Sequence, residues 1–418
     1  MQVKAKPRRS VRIVGWVAII ASVLLTAELG TFVYYTSRDG RFLSARSRLV
    51  NEPNSFVEAI SDGTQCRYID TLYPHPYVAF VHHNREHCPK LWLNPQGLFG
   101  RPIPFERDLG RFTILLTGGS VASQLGQTGE GKPLFLEEEL NRCYRPPHGN
   151  KFLVLNLADG AWKQPQQAIV FLLYADIADA VVTLDGFNEH NALLVSPPTW
   201  ARLEVPANNF AMVNPIVSGS YVGLWAAWLA NATHGYVAGN ELLNKSFLMY
   251  ASVRNLKGAL ERMARKKQET QGSALTNMFV LPAEWPVERK VAFNQRQYRR
   301  YIRAMATLAA SNGLRSGFFI QPAPAIGKTL NDDEKRVVGD LRYADAYQRM
   351  NDDLVKLAGE GISIFSLLDV FSSEKIAIYS DNAHFIRDRD GESRGNRLVA
   401  AAMARRLSEA WQLERICP

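Results

Sequence analysis

The sequence contains few cysteines, no internal repeat and no low-complexity tract. Only 4 of its 418 residues are cysteine, and 46% of residues are hydrophobic against 21% charged. This composition excludes collagen-like, fibrous and intrinsically disordered classes and is typical of an ordinary folded protein. A chain of this length predicts one large domain with accessory segments.

Net charge is scarce beyond residue 48. The chain carries +9 in total, and residues 1–48 hold nine Lys/Arg against Glu28 and Asp39, which leaves only +2 for the other 370 residues. Nucleic-acid binding needs a basic face spread over a domain, and no nucleic-acid motif is recognised, so we exclude a nucleic-acid partner. The positive charge flanks one hydrophobic segment, which favours anionic lipid headgroups instead.

That segment is the one long hydrophobic run, residues 13–35 ("IVGWVAIIASVLLTAELGTFVYY"). It is about long enough to cross a bilayer, with Trp16 near one end and a tyrosine pair at the other. Glu28 is costly at such a depth unless it is protonated or paired. We predict a cytoplasmic tail (1–12) and a single-pass transmembrane anchor, with the rest of the chain periplasmic or extracellular. A cleaved signal peptide is the alternative.

The four cysteines suit the oxidising compartment that this topology implies. A pairing of Cys66 with Cys88 and of Cys143 with Cys417 is one of three possible pairings, and free buried thiols are the alternative.

Residues 36–110 are irregular and rich in Pro, His and aromatic residues, which predicts a stem or small subdomain. Within it, His82, His83, His87 and Cys88 do not have the spacing of a zinc site, so we interpret this stretch as a polar surface loop. We predict neither a metal nor an organic cofactor.

From residue 111 onward, short apolar runs alternate with amphipathic helices. Near-continuous apolar strands between helices predict an α/β fold, a three-layer α/β/α arrangement with a mainly parallel, flavodoxin-like sheet over residues 111–418. The predicted strands are 111–119, 151–158, 178–186, 316–321 and 362–368, and the predicted helices are 133–144, 164–177, 291–311, 345–358 and 395–411. Residues 190–290 interrupt the alternation and predict a helical insertion, a candidate lid. A second membrane span within it is disfavoured, because Asn231 and His234 interrupt its apolar stretch.

Residues that can take part in catalysis follow the carboxyl ends of the predicted strands. Active-site groups of a parallel sheet gather at these ends. The first strand ends in two glycines and Ser120, the second at Gly160, and the third shortly before Asn188. Near the C-terminus, "DNAH" places Asp381 and His384 three residues apart. Each residue alone has a structural explanation as a turn, a cap or a surface histidine, but together they supply the groups that acyl transfer needs.

A serine hydroxyl becomes a good nucleophile when a histidine takes its proton, and a carboxylate must hold that histidine in one tautomer. Ser120, His384 and Asp381 fill these three roles. The oxyanion of the tetrahedral intermediate needs preset donors, and we expect them from the N–H of Ser120, the N–H of Gly160 and the carboxamide of Asn188. Two glycines before the serine let the backbone turn sharply and leave room around the hydroxyl.

These four blocks resemble the SGNH hydrolases, the GDSL-type esterases and lipases, in residue type and in order over residues 111–412. The blocks are "TGGS", "NLADG", "GFN" and "DNAH". The resemblance implies a serine esterase that forms an acyl-enzyme. The sequence departs from the family at Gly119, where aspartate is usual, and at Val121, where leucine is usual.

Two further residues belong to the predicted site. Glu189, at a position where the family often has aspartate, is either a hydrogen-bond acceptor behind the site or a buried structural acid. Gln321, at the end of a later strand, either touches substrate or caps the strand.

The expected activity is hydrolysis of O-acetyl or other short acyl esters on a cell-envelope glycan or a small ester. Two alternatives remain open. An O-acyltransferase would use the same triad and pass the acyl group to a sugar hydroxyl. A non-catalytic envelope protein would use the fold to bind glycan.

Overall fold

The computed structural model describes residues 9–40, 42–50, 71–84, 91–128, 131–194, 202–205, 221–270, 280–388 and 392–417. The chain forms two compact units. One comprises residues 1–70 and 214–274, and the other comprises residues 71–213 and 275–418. The predicted stem is thus divided after Asp70, and much of the predicted insertion belongs with the N-terminal helix. The predicted pair Cys66–Cys88 lies outside the described residues.

A mostly parallel sheet of five strands organises the larger unit. A separate antiparallel hairpin, β1 and β2, precedes it in the predicted stem. The strands are β1 (Leu72–His75), β2 (Ala79–His82), β3 (Arg111–Gly118), β4 (Lys151–Ala158), β5 (Ala180–Asp185), β6 (Arg315–Ile320) and β7 (Ile364–Ser366). The sheet order is β4-β3-β5-β6-β7, and every neighbouring pair runs parallel. The carboxyl ends of β3, β4 and β5 therefore meet at one edge, as predicted.

Helices flank this sheet, so the predicted α/β class is confirmed. They are α3 (Ser120–Leu125), α4 (Phe135–Cys143), α5 (Gln166–Tyr174), α6 (Phe187–Leu194), α9 (Val287–Ser311), α10 (Asp332–Val337), α11 (Ala344–Val355) and α12 (Arg394–Trp411). Helix α9 begins four residues before the predicted start, directly after Pro286, whose fixed φ suits a helix start. The predicted bounds of α11 shorten because residues 356–360 continue as a 3₁₀ helix.

One apolar cluster joins the sheet to α3, α4 and α12. From β3, Phe112, Ile114 and Leu116 alternate along the strand and are buried in this cluster. The same cluster contains Phe385 from the segment that precedes α12. Burial of such side chains contributes about 1.5–3 kcal/mol each, so this cluster holds the C-terminal segment against the first strand and helix.

The smaller unit is helical, with α1 (Arg9–Asp39), α2 (Ala45–Val50), α7 (Tyr221–Gly239) and α8 (Phe247–Thr270). Residues Val14–Arg38 of α1 are long and apolar enough to cross a membrane, and they are the one such segment among the residues described. The anchor predicted over residues 13–35 coincides with this segment.

A disulfide joins Cys143, at the end of α4, to Cys417, beyond α12, with their Cα atoms 4.5 Å apart. This confirms the second half of the predicted pairing. Nearby, the N–H of Ile416 donates to the carbonyl of Cys143 at 2.8 Å. The bond closes a sequence separation of 274 residues, so it restricts the unfolded chain strongly.

Replacing Cys417 with Ser should destabilise the larger unit by about 2–4 kcal/mol, because the unfolded chain regains the freedom that the cross-link removes. Thermal unfolding of the full-length protein with and without reductant measures this. The double variant C143S/C417S should have the same melting temperature as C417S, since either substitution breaks the same bond. Equal melting temperatures of wild type and C417S under oxidising conditions would contradict the role of this disulfide.

Candidate active site

Gly118 ends β3 in a conformation that only glycine adopts easily, with φ of +153°. A Cβ atom here would overlap the carbonyl oxygen of Leu184 in β5 and the side chain of Ala122. The first of the two glycines is therefore required by the close approach of the neighbouring strand. It turns the chain directly into α3, where Ser120 occupies the first helical position.

At Gly119 the first and third predicted blocks meet the loop that follows the second. A Cβ atom at this residue would overlap Nδ2 of Asn188 and lie 3.2 Å from the carbonyl oxygen of Trp162. The side chain of Asn188 itself donates to that carbonyl at 2.8 Å. The structure thus brings the predicted Asn188 beside the residue that precedes Ser120. It also gives a physical reason for glycine at position 119, since a side chain there would displace Asn188.

A buried acid holds the turn that carries Asn188. Glu189 accepts hydrogen bonds from the N–H of Gly186 at 2.9 Å and from the N–H of Gln164 at 3.0 Å. Its side chain is fully buried, and burial raises its pKa although these N–H donors oppose the shift. Burial, followed by the Glu189 charge, raises the pKa of neighbouring Asp185 well above its usual value. Glu189 is therefore a buried acid that accepts hydrogen bonds from the turn, and its role behind the active site stays a prediction.

The second block forms a tight turn at the end of β4. The N–H of Trp162 donates to the carbonyl of Asp159 at 3.3 Å, and Ala161 has a left-handed φ of +60°. The N–H of Gly160 donates to Oδ1 of Asp159 at 2.6 Å. That N–H is thus engaged inside the turn, and the oxyanion role of Gly160 stays a prediction that requires the turn to rearrange.

The other two predicted oxyanion donors, the N–H of Ser120 and the carboxamide of Asn188, are better placed than the N–H of Gly160. The first backbone bond of α3 runs from the N–H of Ser123 to the carbonyl of Gly119 at 3.0 Å. The N–H of Ser120 therefore precedes the intrahelical bonds. The carboxamide nitrogen of Asn188 has two hydrogens, and its bond to the carbonyl of Trp162 uses one of them.

A histidine from the predicted stem supports the Asp159 turn. His82, at the end of β2, places Nε2 2.9 Å from Oδ1 of Asp159 and Nδ1 2.7 Å from Oγ1 of Thr71. The side chains of His82 and Asp159 are 0% exposed. The prediction of a polar surface loop was therefore wrong for His82, whose partner lies 77 residues away, while His87 and Cys88 lie outside the described residues.

The fourth block is a short hairpin in which His384 and Asp381 are hydrogen-bonded. Oδ2 of Asp381 lies 2.8 Å from Nδ1 of His384, and Oδ1 accepts from the N–H groups of Ala383 and His384, each at 2.8 Å. Partial burial acts to raise the pKa of Asp381, but these bonds lower it to about 2. The carboxylate therefore stays charged at neutral pH and orients the imidazole as a triad requires.

Buried polar contacts fix this hairpin from behind. Glu334 is fully buried and accepts from the N–H groups of Ile378 and Tyr379, at 2.8 and 3.2 Å. Its other oxygen binds Lys328 Nζ at 2.6 Å. Burial acts to raise the pKa of Glu334, but the lysine and the N–H donors lower it overall. These residues carried no recognisable motif, because the pairing joins segments about 44 residues apart.

The hairpin is also tied to the helix that carries Ser120. The guanidinium of Arg387 donates to the side chain and the carbonyl of Gln127, just beyond α3. Val121 of α3 and Phe385 of the hairpin belong to the same apolar cluster. The serine and histidine segments are therefore packed as neighbours.

The Ser120 hydroxyl makes no hydrogen bond to any of the residues that the structure describes. Both Ser120 and His384 are partly exposed, so solvent reaches each of them. Catalytic hydrogen bonds are commonly long before substrate binds and tighten in the reacting complex. The Ser120–His384 contact stays a prediction.

Gln321 is buried at the end of β6. Its N–H donates to the carbonyl of Asp185 at 2.8 Å, and its carbonyl accepts from the hydroxyl of Tyr347 at 3.0 Å. Its backbone thus extends the pairing with β5, and a contact of its side chain with substrate stays a prediction.

Comparison of the chain with models of known protein families and with curated proteins finds no match. The resemblance to SGNH hydrolases therefore depends on the four blocks and on the strand ends that bring the first three to one sheet edge.

Replacing Gly119 with Asp should displace Asn188 from the site, because the new Cβ would occupy the position of its Nδ2. We expect esterase activity to fall about 10²-fold or more, the effect of losing an oxyanion donor, while circular dichroism still reports a folded protein. The matched control is G359D, since Gly359 is exposed and has no neighbouring atom within 4 Å of a Cβ. Full activity in G119D would contradict the role of Asn188.

Replacing His82 with Gln should destabilise the larger unit by about 1–3 kcal/mol, because the buried Asp159 loses a hydrogen-bond partner. The double variant H82Q/D159N should recover part of the loss, since it removes the buried carboxylate as well. Chemical denaturation of the three proteins measures the coupling. Strictly additive effects would show that the two side chains do not depend on each other.

Proposed function

We propose that the protein is a membrane-anchored serine esterase that removes O-acetyl or similarly short acyl groups from a cell-envelope glycan or a small ester. The observation that carries this proposal is the convergence at Gly119, which places Asn188 beside the residue before Ser120. The preformed Asp381–His384 pair on the neighbouring hairpin adds the base.

In the proposed reaction, Oγ of Ser120 attacks the ester carbonyl carbon while Nε2 of His384 takes the hydroxyl proton. The N–H of Ser120 and the carboxamide of Asn188 stabilise the oxyanion. When the carbon–oxygen bond to the alcohol breaks, His384 returns the proton to the leaving alcohol and the acyl group stays on Ser120. Water then repeats the sequence and releases the carboxylic acid.

The ionised Asp381 has two separate tasks in this scheme. Oδ2 accepts from Nδ1 of His384, so Nε2 is left to act as the base. It also stabilises the imidazolium that forms during proton transfer. Since its pKa is lowered to about 2, we expect Asp381 to stay charged throughout the pH range of activity.

The wider architecture fits this proposal. With the core strands counted from β3, their order is 2-1-3-4-5, the order of flavodoxin-like folds, whose sites lie at the carboxyl edge of the sheet. We therefore propose a three-layer arrangement around it. We also place this unit on the periplasmic or extracellular side of the anchor, because the Cys143–Cys417 disulfide persists in an oxidising compartment.

Replacing Ser120 with Ala in the full-length protein, purified in detergent, should lower kcat/KM for p-nitrophenyl acetate by about 10⁴-fold or more, because the nucleophile is lost. The matched control is S123A, one turn further along α3, where the hydroxyl accepts from Gln127 at 3.3 Å. We expect S123A to stay within a few-fold of wild type. Turnover of S120A at the wild-type rate would end the proposal.

A further inference from the structure

The carboxylate of Glu28, inside the candidate membrane span, caps the start of α8. It accepts from the hydroxyl of Ser246 at 2.6 Å and from the N–H groups of Phe247 and Leu248, at 2.6 and 3.0 Å. The unpaired first amides of a helix are natural partners of a carboxylate. An acid that is costly in a membrane is thus satisfied by a segment 218 residues away, and α8 begins at the level of Glu28 along α1.

Helix α8 then continues along α1 toward the C-terminal end of the span. The ring of Phe247 contacts Phe32 with centroids 5.2 Å apart, and Tyr250 contacts Tyr35 at 5.0 Å. Since Glu28 precedes Tyr35 by seven residues, the start of α8 lies about 10 Å closer than Tyr35 to the N-terminal end of the span.

Three guanidinium groups surround Tyr35 and mark a cationic layer. Those of Arg38, Arg48 and Arg254 lie 5.2, 5.5 and 5.7 Å from the centre of the Tyr35 ring. Arginine and tyrosine together at one depth are typical of the headgroup region of a bilayer. The start of α8 lies on the bilayer side of this layer.

Helices α7 and α8 form an antiparallel hairpin. Val237, near the end of α7, belongs to the same apolar cluster as Phe247 and Val253, whereas Ala226 and Ala230 cluster with Leu260. The closed end of the hairpin, residues 240–246, therefore lies near the start of α8 and at the depth of Glu28.

The outer face of α7 is apolar. The helix contains no Asp, Glu, Lys or Arg. Its exposed large side chains are Trp225, Trp228 and Tyr236, which are 55, 62 and 69% exposed, and Leu242 in the closed end is 81% exposed. These positions on α7 follow helical spacing and form one stripe. The two charged residues of the closed end, Glu241 and Lys245, have opposite signs.

We propose that the closed end of the α7–α8 hairpin is immersed in the leaflet that surrounds the C-terminal half of α1, with residues 240–246 among the acyl chains and the tryptophans of α7 near the headgroups. The occupant of the apolar stripe is thus lipid. Two observations support this proposal: α8 packs along α1, and three arginine side chains surround Tyr35. The proposal depends on α1 crossing the membrane and is independent of the esterase activity.

Carbene labelling tests this in the full-length protein, reconstituted in vesicles of phosphatidylcholine and phosphatidylglycerol with a lipid-soluble diazirine. Mass spectrometry of peptides should find residues 225–243 labelled like α1. The reference is the peptide containing Phe105 and Leu109, which are 95 and 77% exposed in the other unit, and we expect it to be labelled several-fold less. Replacing Leu242 with Glu should lower the labelling of 225–243, and the matched variant L109E should not change it.

Labelling of residues 225–243 no stronger than that of the reference peptide would overturn the proposal, since the stripe would then face water. Labelling that falls as the protein-to-lipid ratio rises would overturn it too, because a second copy of the chain would cover the stripe. Esterase activity of the same samples is measured separately. Failure of the lipid-contact proposal and failure of the esterase proposal can therefore be distinguished.

Discussion

The close packing at Gly119 is the constraint on which the site depends. Three loops from the ends of β3, β4 and β5 meet where no side chain is present, so the backbone before Ser120, the carbonyl of Trp162 and the carboxamide of Asn188 share one small volume. A parallel sheet brings these loops to one edge, but only a residue without Cβ lets them come this close. Glycine at position 119 is therefore a structural requirement of this chain.

The hairpin that carries His384 is held by a separate set of contacts. The hairpin of His384 rests on the buried Glu334–Lys328 pair and on the apolar cluster that it shares with α3. A buried ion pair contributes orientation more than net stability, because desolvation offsets most of its Coulomb energy. The segments that carry Ser120 and His384 are thus held by separate sets of contacts, and Asp381 fixes the imidazole of His384 locally.

The strands of the sheet were predictable because each depends on the pattern of a short stretch of sequence. Buried parallel strands are near-continuous apolar runs, and β4 has the predicted bounds, residues 151–158. The paired Asp381 and His384 were predictable for the same reason, since they lie three residues apart. His82, Glu334 and the Glu28–Ser246 contact were missed because their partners are 44 to 218 residues away, where no local pattern reports them.

The central claim is that Ser120 is a nucleophile activated by His384. The most direct measurement is peptide mass spectrometry of the full-length protein after reaction with a fluorophosphonate, which phosphonylates an activated serine. We expect one adduct, on Ser120, which forms much more slowly in H384A. No adduct, an adduct on another serine, or an unchanged rate in H384A would contradict it.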